Sequence, residues 1–352
     1  MAHAVLDLLA WLVAVLALFL ASTVVFDAVH WTLHRLASSR HRPLRAIGGL
    51  HQVHHRFLDG DLVIHESLIR RNLTHHVIPE FLTQAATSLA MLLLLPAPVV
   101  LGSLGLQTLV FALILRAHGM DVNHKGVEVL RAHRPFPFCL PEYHALHHVH
   151  PEAHFSSWIK LLDALVGTGT CLSGRRVVLT GAATPFGRAL RELLAGRGVA
   201  TLEDLPSDLD RGPVEAEALA ARLRETDLLV LCHAGPDRDP GTTGPGSYLA
   251  WVEHACEATR GRRIPIEVWT VSHASAEPDG FARNARRYLY DPRVIFRHVV
   301  LPVPVADDAV PAEALARRAL SLIRRGFHHV PARRGAAALL DGLRLRFLVR
   351  PA

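Results

Sequence analysis

Long apolar stretches are confined to the first third of the chain. Residues 4–26 are almost continuously apolar apart from Asp7, and a helix needs roughly 20 such residues to cross the hydrocarbon core of a membrane. Residues 77–95 and 99–115 form two further apolar stretches, joined by Pro96-Ala97-Pro98, where proline ends one helix and permits a turn. The pattern predicts three spans, the last two as a hairpin. For these shorter runs, re-entrant or interfacial helices are the alternative.

Arginines lie on one side of the predicted spans, between the first span and the hairpin and just after the hairpin. They are Arg35, Arg40, Arg42, Arg45, Arg56, Arg70, Arg71 and Arg116. By the positive-inside rule this predicts an integral membrane protein with about three spans, its N-terminus outside and its C-terminal half in the cytoplasm.

From about residue 173 the pattern changes to short apolar runs alternating with helical segments. The runs are 175–180, 227–232 and 266–271, and the helical segments are 213–225 and 311–325. This alternation is typical of α/β proteins with a parallel sheet. The predicted fold class is therefore multi-domain, with an all-α membrane-embedded domain followed by an α/β Rossmann-like domain.

The predicted domain boundaries follow from these changes of pattern. Residues 1–168 form the membrane domain, 169–174 a small-residue linker, 175–330 the Rossmann-like domain and 331–352 a basic amphipathic tail. The tail interleaves leucines with arginines, so it either lies on anionic lipid or packs on its own domain.

Charge and cysteine usage exclude some function classes. The net charge is +6, but no zinc finger or RNP motif accompanies it, so we expect a membrane surface rather than nucleic acid as the basic protein's partner. The 4 cysteines are isolated, with no C-x-x-C pair, which fits a reducing cytoplasm.

Most of the 24 histidines lie before residue 172, and three short clusters stand out. They are His30-x-x-x-His34, His51-x-x-His54-His55 and His144-x-x-His147-His148. Residues three and four apart share a helix face, so each cluster can aim two or three imidazoles at one point. A single cluster would be read as solvated histidines. The repeated H-x-x-H-H spacing instead predicts a shared metal site, and imidazole suits iron, zinc, copper and nickel.

With these motifs in view, residues 20–168 resemble the fatty acid hydroxylase and sterol desaturase superfamily of membrane diiron proteins. The matching pieces are Asp27-x-x-His30-x-x-x-His34-Arg35, the cluster at His51, Glu142-Tyr143-His144-x-x-His147-His148 and Asp163-x-x-x-Gly167-Thr168. The resemblance implies two iron ions, with zinc as a possible substitute, and O2-dependent hydroxylation or desaturation of a membrane lipid such as a sterol or fatty acyl chain. The chain has no haem or iron–sulfur motif, so we expect a separate electron donor, a ferredoxin or a cytochrome b5-like protein.

The resemblance also implies a histidine ligand between the hairpin and the last cluster. His124 is the best match, and His118 is a second candidate that could equally be a buried group behind the ligands. The expected metal ligands are therefore His30, His34, His51, His54, His55, His118, His124, His144, His147 and His148. The remaining histidines of this half are expected on a basic surface: His41, His65, His75, His76, His133, His150 and His154.

The second half resembles the short-chain dehydrogenase/reductase family, but its catalytic parts are missing. Gly181 and Gly187 remain as cofactor-binding candidates, while Pro185 stands where a glycine usually lets the backbone approach a pyrophosphate. The family uses a Tyr-x-x-x-Lys pair, and no lysine follows Lys160. We therefore expect a domain that transfers no hydride, with NAD(P) binding left open.

Two other functions compete with lipid hydroxylation or desaturation. The two-domain architecture also resembles, more loosely, that of plant wax-synthesis proteins, which suggests deformylation of a fatty aldehyde to an alkane. A lipid-binding scaffold with an inert metal site is the non-enzymatic alternative. The complete set of histidine motifs favours an enzyme.

Overall fold

The computed structural model describes residues 2–121, 123–133, 137–205, 213–232, 248–273, 287–302 and 310–331. The chain divides into two compact units, residues 1–128 with 136–168 and residues 129–135 with 169–352. Residues 129–133 belong to the second unit rather than the first, because Leu130 N donates to Arg263 O (2.7 Å) and Ala132 N to Pro292 O (2.8 Å). The predicted tail lies outside the described residues from residue 332 onward.

The first unit is helical. Its helices are α1 (Ala2–Ala37), α2 (Arg42–Phe57), α3 (Ile69–Asn72), α4 (Ile78–Ala90), α5 (Ala97–Arg116), α6 (Pro141–Val149) and α7 (Leu161–Val166). A π-helical turn at Leu73–Val77 joins α3 to α4, and short 3-10 turns lie at Glu66–Leu68 and Met91–Leu93.

Two helices have the length and apolar composition to cross a membrane, His3–Ala37 and Ala97–Arg116. Large apolar side chains of α1, including Leu6 and Val13, are exposed, which suits contact with lipid. The helix α4 has 13 residues and falls short of a span. The structure thus supports two of the three predicted spans by length and composition, and membrane insertion stays a prediction.

A glycine allows α2 to pack closely on the end of α1. A Cβ at Gly48 would lie 2.2 Å from Ala37 N and 2.6 Å from Leu33 O, so no side chain fits there. Pro43, in the first turn of α2, needs no hydrogen-bond partner for its nitrogen. The close crossing brings the histidine-bearing face of α2 against the last turns of α1.

The second unit contains a parallel six-stranded sheet in the order β2-β1-β3-β4-β5-β6. The strands are β1 (Arg176–Thr180), β2 (Thr201–Leu205), β3 (Leu228–Leu231), β4 (Ile266–His273), β5 (Val294–Leu301) and β6 (His329–Val330). The described helices are α8 (Pro185–Ala195), α9 (Pro213–Glu225), α10 (Tyr248–Ala258) and α11 (Ala312–Arg324). The strand order reverses next to β1, which is the arrangement of a Rossmann-like doubly wound fold and confirms the α/β prediction.

Both faces of this sheet are buried, which explains the continuous apolar runs of its strands. On one face Leu223 of α9 and Trp251 of α10 pack against strand residues that include Val178. On the other, Leu190 of α8 and Leu320 of α11 pack against residues that include Leu179. Successive residues of β1 therefore serve opposite hydrophobic layers.

The predicted linker is largely buried, because it joins a charged network inside the second unit. Glu267, on β4, accepts hydrogen bonds from Arg175 Nη1 (2.5 Å), Arg297 Nε (2.5 Å) and Thr170 Oγ1 (3.0 Å). Arg297 Nη2 also donates to Gly169 O (3.1 Å). Burial opposes ionisation of Glu267, but the two guanidinium groups outweigh it and hold the pKa of this carboxyl well below its usual range.

Replacing Glu267 by Ala should destabilise the second unit strongly, because Arg175 and Arg297 would keep buried charges without their shared partner. We expect a loss of about 3–5 kcal/mol in the free energy of unfolding. The matched control is Glu313→Ala, which removes the exposed pair of Glu313 with Arg317 and should change it by less than about 0.5 kcal/mol. Denaturant unfolding of the full chain, followed by tryptophan fluorescence, measures both. Equal effects of the two substitutions would contradict the assigned role of Glu267.

Candidate metal centre

Three helices and one loop of the first unit bring nine histidines into two adjoining groups. The first group is His30, His34, His51, His55 and His147, and the second is His54, His124, His144 and His148. Within each group one nitrogen of every ring lies within 4.8 Å of the others. The α2 cluster is split between the groups, because adjacent residues on a helix point in different directions.

Four of these rings are held by a hydrogen bond at Nδ1. Their partners are Asn72 Oδ1 for His54 (3.1 Å), Asp121 Oδ1 for His124 (2.8 Å), Ala153 O for His147 (2.8 Å) and Leu58 O for His148 (2.7 Å). An acceptor at Nδ1 places the proton there and leaves the lone pair on Nε2. Metal-binding histidines are generally oriented in this way.

Six Nε2 atoms of the two groups have no hydrogen-bond partner among the described residues. They are Nε2 of His30, His51, His54, His124, His147 and His148, and all are buried. Polar atoms buried without a partner are costly, so such a concentration indicates a ligand. In the first group, Nε2 of His34 and Nε2 of His55 are 3.0 Å apart. Two nitrogens bound to one metal at about 2.1 Å and a right angle would be separated by about 3.0 Å.

Burial disfavours the protonated form of imidazole, and the neutral form is the one that binds metals. Desolvation lowers the pKa of His144 to about 3, and it lowers the pKa of His148 well below its usual range. For Asp121, burial opposes ionisation, but the adjacent His124 outweighs it and lowers the pKa to about 2. Asp121 is therefore an anionic acceptor for the Nδ1 proton of His124. The donor set and its orientation fit two metal ions.

Two buried aspartates hold the segment after α6 against the histidines. Asp163 accepts from Tyr143 Oη (2.9 Å), Phe155 N (3.0 Å) and Thr168 Oγ1 (2.5 Å). Asp27 accepts from Ser157 Oγ (2.7 Å). Phe155 is thereby packed against the rings of His30, His34 and His147, with centroid separations of 5.6, 5.2 and 4.8 Å. These contacts give a structural role to the Asp27, Tyr143 and Asp163 positions of the resemblance.

The sequence prediction was wrong about the burial of four histidines outside the two groups. His118 is exposed at the turn after α5 and joins neither group, so it is removed from the expected ligands. His76, expected on the surface, is buried with its ring stacked on His54 at 3.6 Å between centroids. His133 and His154 are also buried. The apolar stretch beginning at Val77 was the available signal that His76 enters the interior.

The glycine turn of the second unit is the other predicted site. Gly181, directly after β1, has φ +70°, and a Cβ at Gly187 would lie 2.2 Å from Gly181 O. Both glycines are therefore required by backbone geometry. Thr184 Oγ1 accepts from Gly187 N (3.0 Å), and Pro185 has no N–H, so this helix start has few donors left for a phosphate.

No lysine follows Lys160 in the sequence, so the part of the second unit that the structure describes contains no Tyr-x-x-x-Lys pair. Tyr288 Oη is 2.7 Å from Glu253 Oε1, and burial raises the pKa of the phenol above its ordinary value. In the sequence, Phe281 and Ala285 stand where a catalytic Tyr and Lys would be expected after β4, and both positions lie outside the described residues.

Comparisons with known proteins concern only parts of the chain. No protein-family model matches it. It is 31% identical over 209 residues to a monoglucosyldiacylglycerol epimerase of Synechocystis sp., covering 54% of this chain and 50% of that protein. The chain thus spans about half the length of the curated relative it matches.

One solved structure similar to this chain is a short chain dehydrogenase from Burkholderia cenocepacia J2315 in complex with NADP. It has 18% sequence identity and a TM-score of 0.36, covering 51% of this chain and 95% of that one. A TM-score this low supports no statement about fold or function. Both similar proteins are enzymes by name, and neither supports the hydroxylase resemblance of the first half, which stays a prediction.

The two groups predict about two metal ions per chain, one for each group. Because each group has its own ligands, His147→Ala and His54→Ala should each lower the content to about one ion per folded chain. His118→Ala is the control and should retain both ions, since its side chain is exposed outside the groups. Elemental analysis of monodisperse protein in detergent measures the content. A folded wild-type chain with one ion or none would rule out the two-metal assignment.

Proposed function

We propose that the first unit is a membrane-bound diiron oxidase that uses O2 to hydroxylate or desaturate a lipid. The observation that carries the proposal is the pair of adjoining histidine groups whose unpartnered Nε2 atoms converge. Imidazole binds iron as well as zinc, so zinc is an expected substitute when iron is scarce. Iron held there would supply the activation of O2 that an unactivated C–H bond requires.

A cavity beside the second group supports a lipid as the substrate. Its volume is about 630 Å³, and its walls come mainly from apolar side chains of α4 and α5, including Phe81, Val110 and Ile114. Glu80 and Asp121 line it on the side of the histidines. Glu80 Oε2 is 3.6 Å from Nε2 of His76, and Asp121 binds the ring of His124. An alkyl chain in this cavity would therefore lie next to the residues that support the second group.

The protein's own residues would orient the ligands and keep water out. Asp121 and Asn72 fix the rings of His124 and His54, and Phe155 covers the first group with an aromatic face. His76, stacked on His54, fills the space between that ring and Glu80. Exclusion of water protects reactive species formed during oxidation from side reactions.

Electrons would come from a separate protein. A ferredoxin or a cytochrome b5-like partner in the cytoplasm would reach the site at the membrane face, since α1 carries His30 and His34 in its last turns, beyond its apolar part. This topology rests on the arginine distribution and belongs to the proposal.

Lipid oxidation should require O2 and a supplied electron donor, and it should fall to background in His124→Ala. The reason is that His124 lies in the second group although it is outside the repeated motifs. His65→Ala, at an exposed position, is the control and should keep full activity. Product analysis by mass spectrometry, with and without oxygen, measures the reaction. Full activity of His124→Ala with both metals bound would remove His124 from the site, and anaerobic turnover would overturn the oxidase.

Two alternatives to lipid hydroxylation or desaturation are aldehyde deformylation and lipid binding without a chemical reaction. A supplied fatty aldehyde converted to an alkane one carbon shorter would identify a deformylase, whereas a hydroxylated or unsaturated lipid identifies the proposed reaction. Comparing lipid extracts of cells with and without the gene would detect either product. Unchanged extracts from cells whose protein holds both metals would favour the scaffold.

Epimerisation of a glycolipid headgroup is a second candidate, favoured by the similarity to the named epimerase. In the second unit it would need a bound nucleotide that accepts and returns a hydride. Gly181 and Gly187 keep the turn at which NAD(P) could bind. Acid–base chemistry by Tyr288 is opposed by its burial and by the missing lysine, which would otherwise lower its pKa.

The full chain should therefore catalyse no NAD(P)H oxidation with carbonyl substrates and no epimerisation of monoglucosyldiacylglycerol. Absorbance of the reduced nucleotide and chromatography of the lipid measure the two reactions. Tyr288→Phe is the diagnostic variant, because activity that disappears with the phenol would assign hydride chemistry to this unit. Nucleotide binding without turnover would agree with the proposal.

A further inference from the structure

Exposed arginines accompany the least buried part of the candidate metal centre. Seven of the nine histidines are buried, whereas His34 and His55 are partly exposed. In the chain, each of these two is followed directly by an exposed arginine, Arg35 and Arg56. The guanidinium group of Arg35 lies over the ring of Trp31, 5.4 Å from its centroid. An electron that arrives from another protein would reach the centre most directly at this edge.

These arginines belong to a segment without acidic residues. Between Asp27 and Asp59 the sequence contains no aspartate or glutamate. The arginines of the segment form no ion pair with a residue that the structure describes, and their contacts are local, such as the bond from Arg45 Nη1 to Ser39 O (3.0 Å). All are exposed, so the surface they form is positively charged. This basic surface consists of Arg35, Arg40, Arg42, Arg45 and Arg56.

The helix α2 separates its arginines from its exposed apolar side chains. The exposed apolar side chains are Leu44, Ile47 and Leu50. At 3.6 residues per turn, the arginines of α2 lie within about 60° around the helix axis, on the side opposite these three. They are Arg42, Arg45 and Arg56. The apolar side suits contact with lipid, so the arginines on the other side face water, where a soluble protein can reach them.

We infer that the basic surface binds an acidic electron-donor protein next to the first histidine group. A positive surface attracts and orients a negatively charged partner. The positive-inside rule explains why arginines lie near the membrane, but it does not explain their position beside the two exposed ligands. The reduced donor would lose one electron per encounter, and the metal centre would gain it. The inference rests on the proposed function in taking the two groups as a redox-active centre.

Binding of donor proteins to the full chain in non-ionic detergent tests the inference. The probes are a plant-type [2Fe–2S] ferredoxin and the soluble haem domain of a cytochrome b5, both acidic proteins, and biolayer interferometry measures their affinity. At least one should bind, and its Kd should rise about tenfold between about 0.05 M and about 0.3 M salt, because salt screens exposed charges. Parvalbumin, which is acidic but has no redox centre, is the control and should bind at least about tenfold more weakly.

Reversing the charge of the arginines on α2 should weaken the binding of the donor. The triple variant Arg42→Glu, Arg45→Glu, Arg56→Glu should raise its Kd at least about tenfold at low salt. The matched control, Arg197→Glu, Arg222→Glu, Arg224→Glu, changes the net charge equally at exposed positions of the second unit and should bind like the wild type. Elemental analysis and gel filtration check that each variant keeps its metal and its fold. If the triple variant does not fold, Arg45→Glu alone should raise the Kd about threefold.

Several results would overturn the inference: no binding of either donor, equal binding of parvalbumin, unchanged binding in the variant, or equal loss in its control. A variant that loses only its preference for nanodiscs containing phosphatidylserine would assign the surface to anionic lipid, against the inference. A small chemical reductant separates this inference from the proposed function. If that reductant supports lipid oxidation while no donor protein binds, only the docking fails; if a donor binds but neither reductant yields product, the proposed function fails.

Discussion

The candidate metal centre depends on hydrogen bonds at Nδ1 that fix the orientation of imidazole rings. A histidine side chain can rotate about two bonds, and nine of them would not converge on two points without support. Leu58 O, Ala153 O, Asn72 and Asp121 each hold one ring through Nδ1. None of these partners belongs to a histidine motif. Leu58 lies in the loop after α2, Ala153 in the segment after α6 and Asp121 in the loop before His124. The geometry of the site therefore depends on the fold of the whole unit.

The long first helix links the site to the predicted membrane. At about 1.5 Å per residue, the 36 residues of α1 extend roughly 54 Å, beyond the roughly 30 Å of a hydrocarbon core. The excess carries Asp27, His30 and His34. Gly48 lets α2 pack onto this end without a gap. In the proposed function, this arrangement would keep the site at a defined depth relative to lipid, and the cavity between α4 and α5 would receive an apolar chain.

Sequence periodicity predicted the parts of the site that depend on local geometry. His30 and His34 share a helix face at any tertiary arrangement, and so do His51 and His55, which is why these pairs converge as expected. Whether an isolated histidine is buried depends on what packs over it. The prediction was therefore wrong for two residues. His118, expected as a metal ligand, is exposed, and His76, expected on the surface, is stacked against His54. The anchoring carbonyls of Leu58 and Ala153 have no side-chain signal and could not be predicted.

The second unit has the backbone turn of a nucleotide-binding fold but lacks the Tyr-x-x-x-Lys pair that would make it reactive. Gly181 and Gly187 persist because β1 must turn sharply into α8, a requirement of the fold with or without a nucleotide. Glu267 occupies the interior of the sheet with two arginines and draws Gly169 and Thr170, predicted as a linker, into the unit. The Glu267 carboxylate already accepts hydrogen bonds from Arg175, Arg297 and Thr170, so this network has a structural role. Backbone geometry alone thus accounts for the two glycines that this half retains, whereas in the first half the convergence of two histidine groups is the arrangement from which a metal centre is proposed.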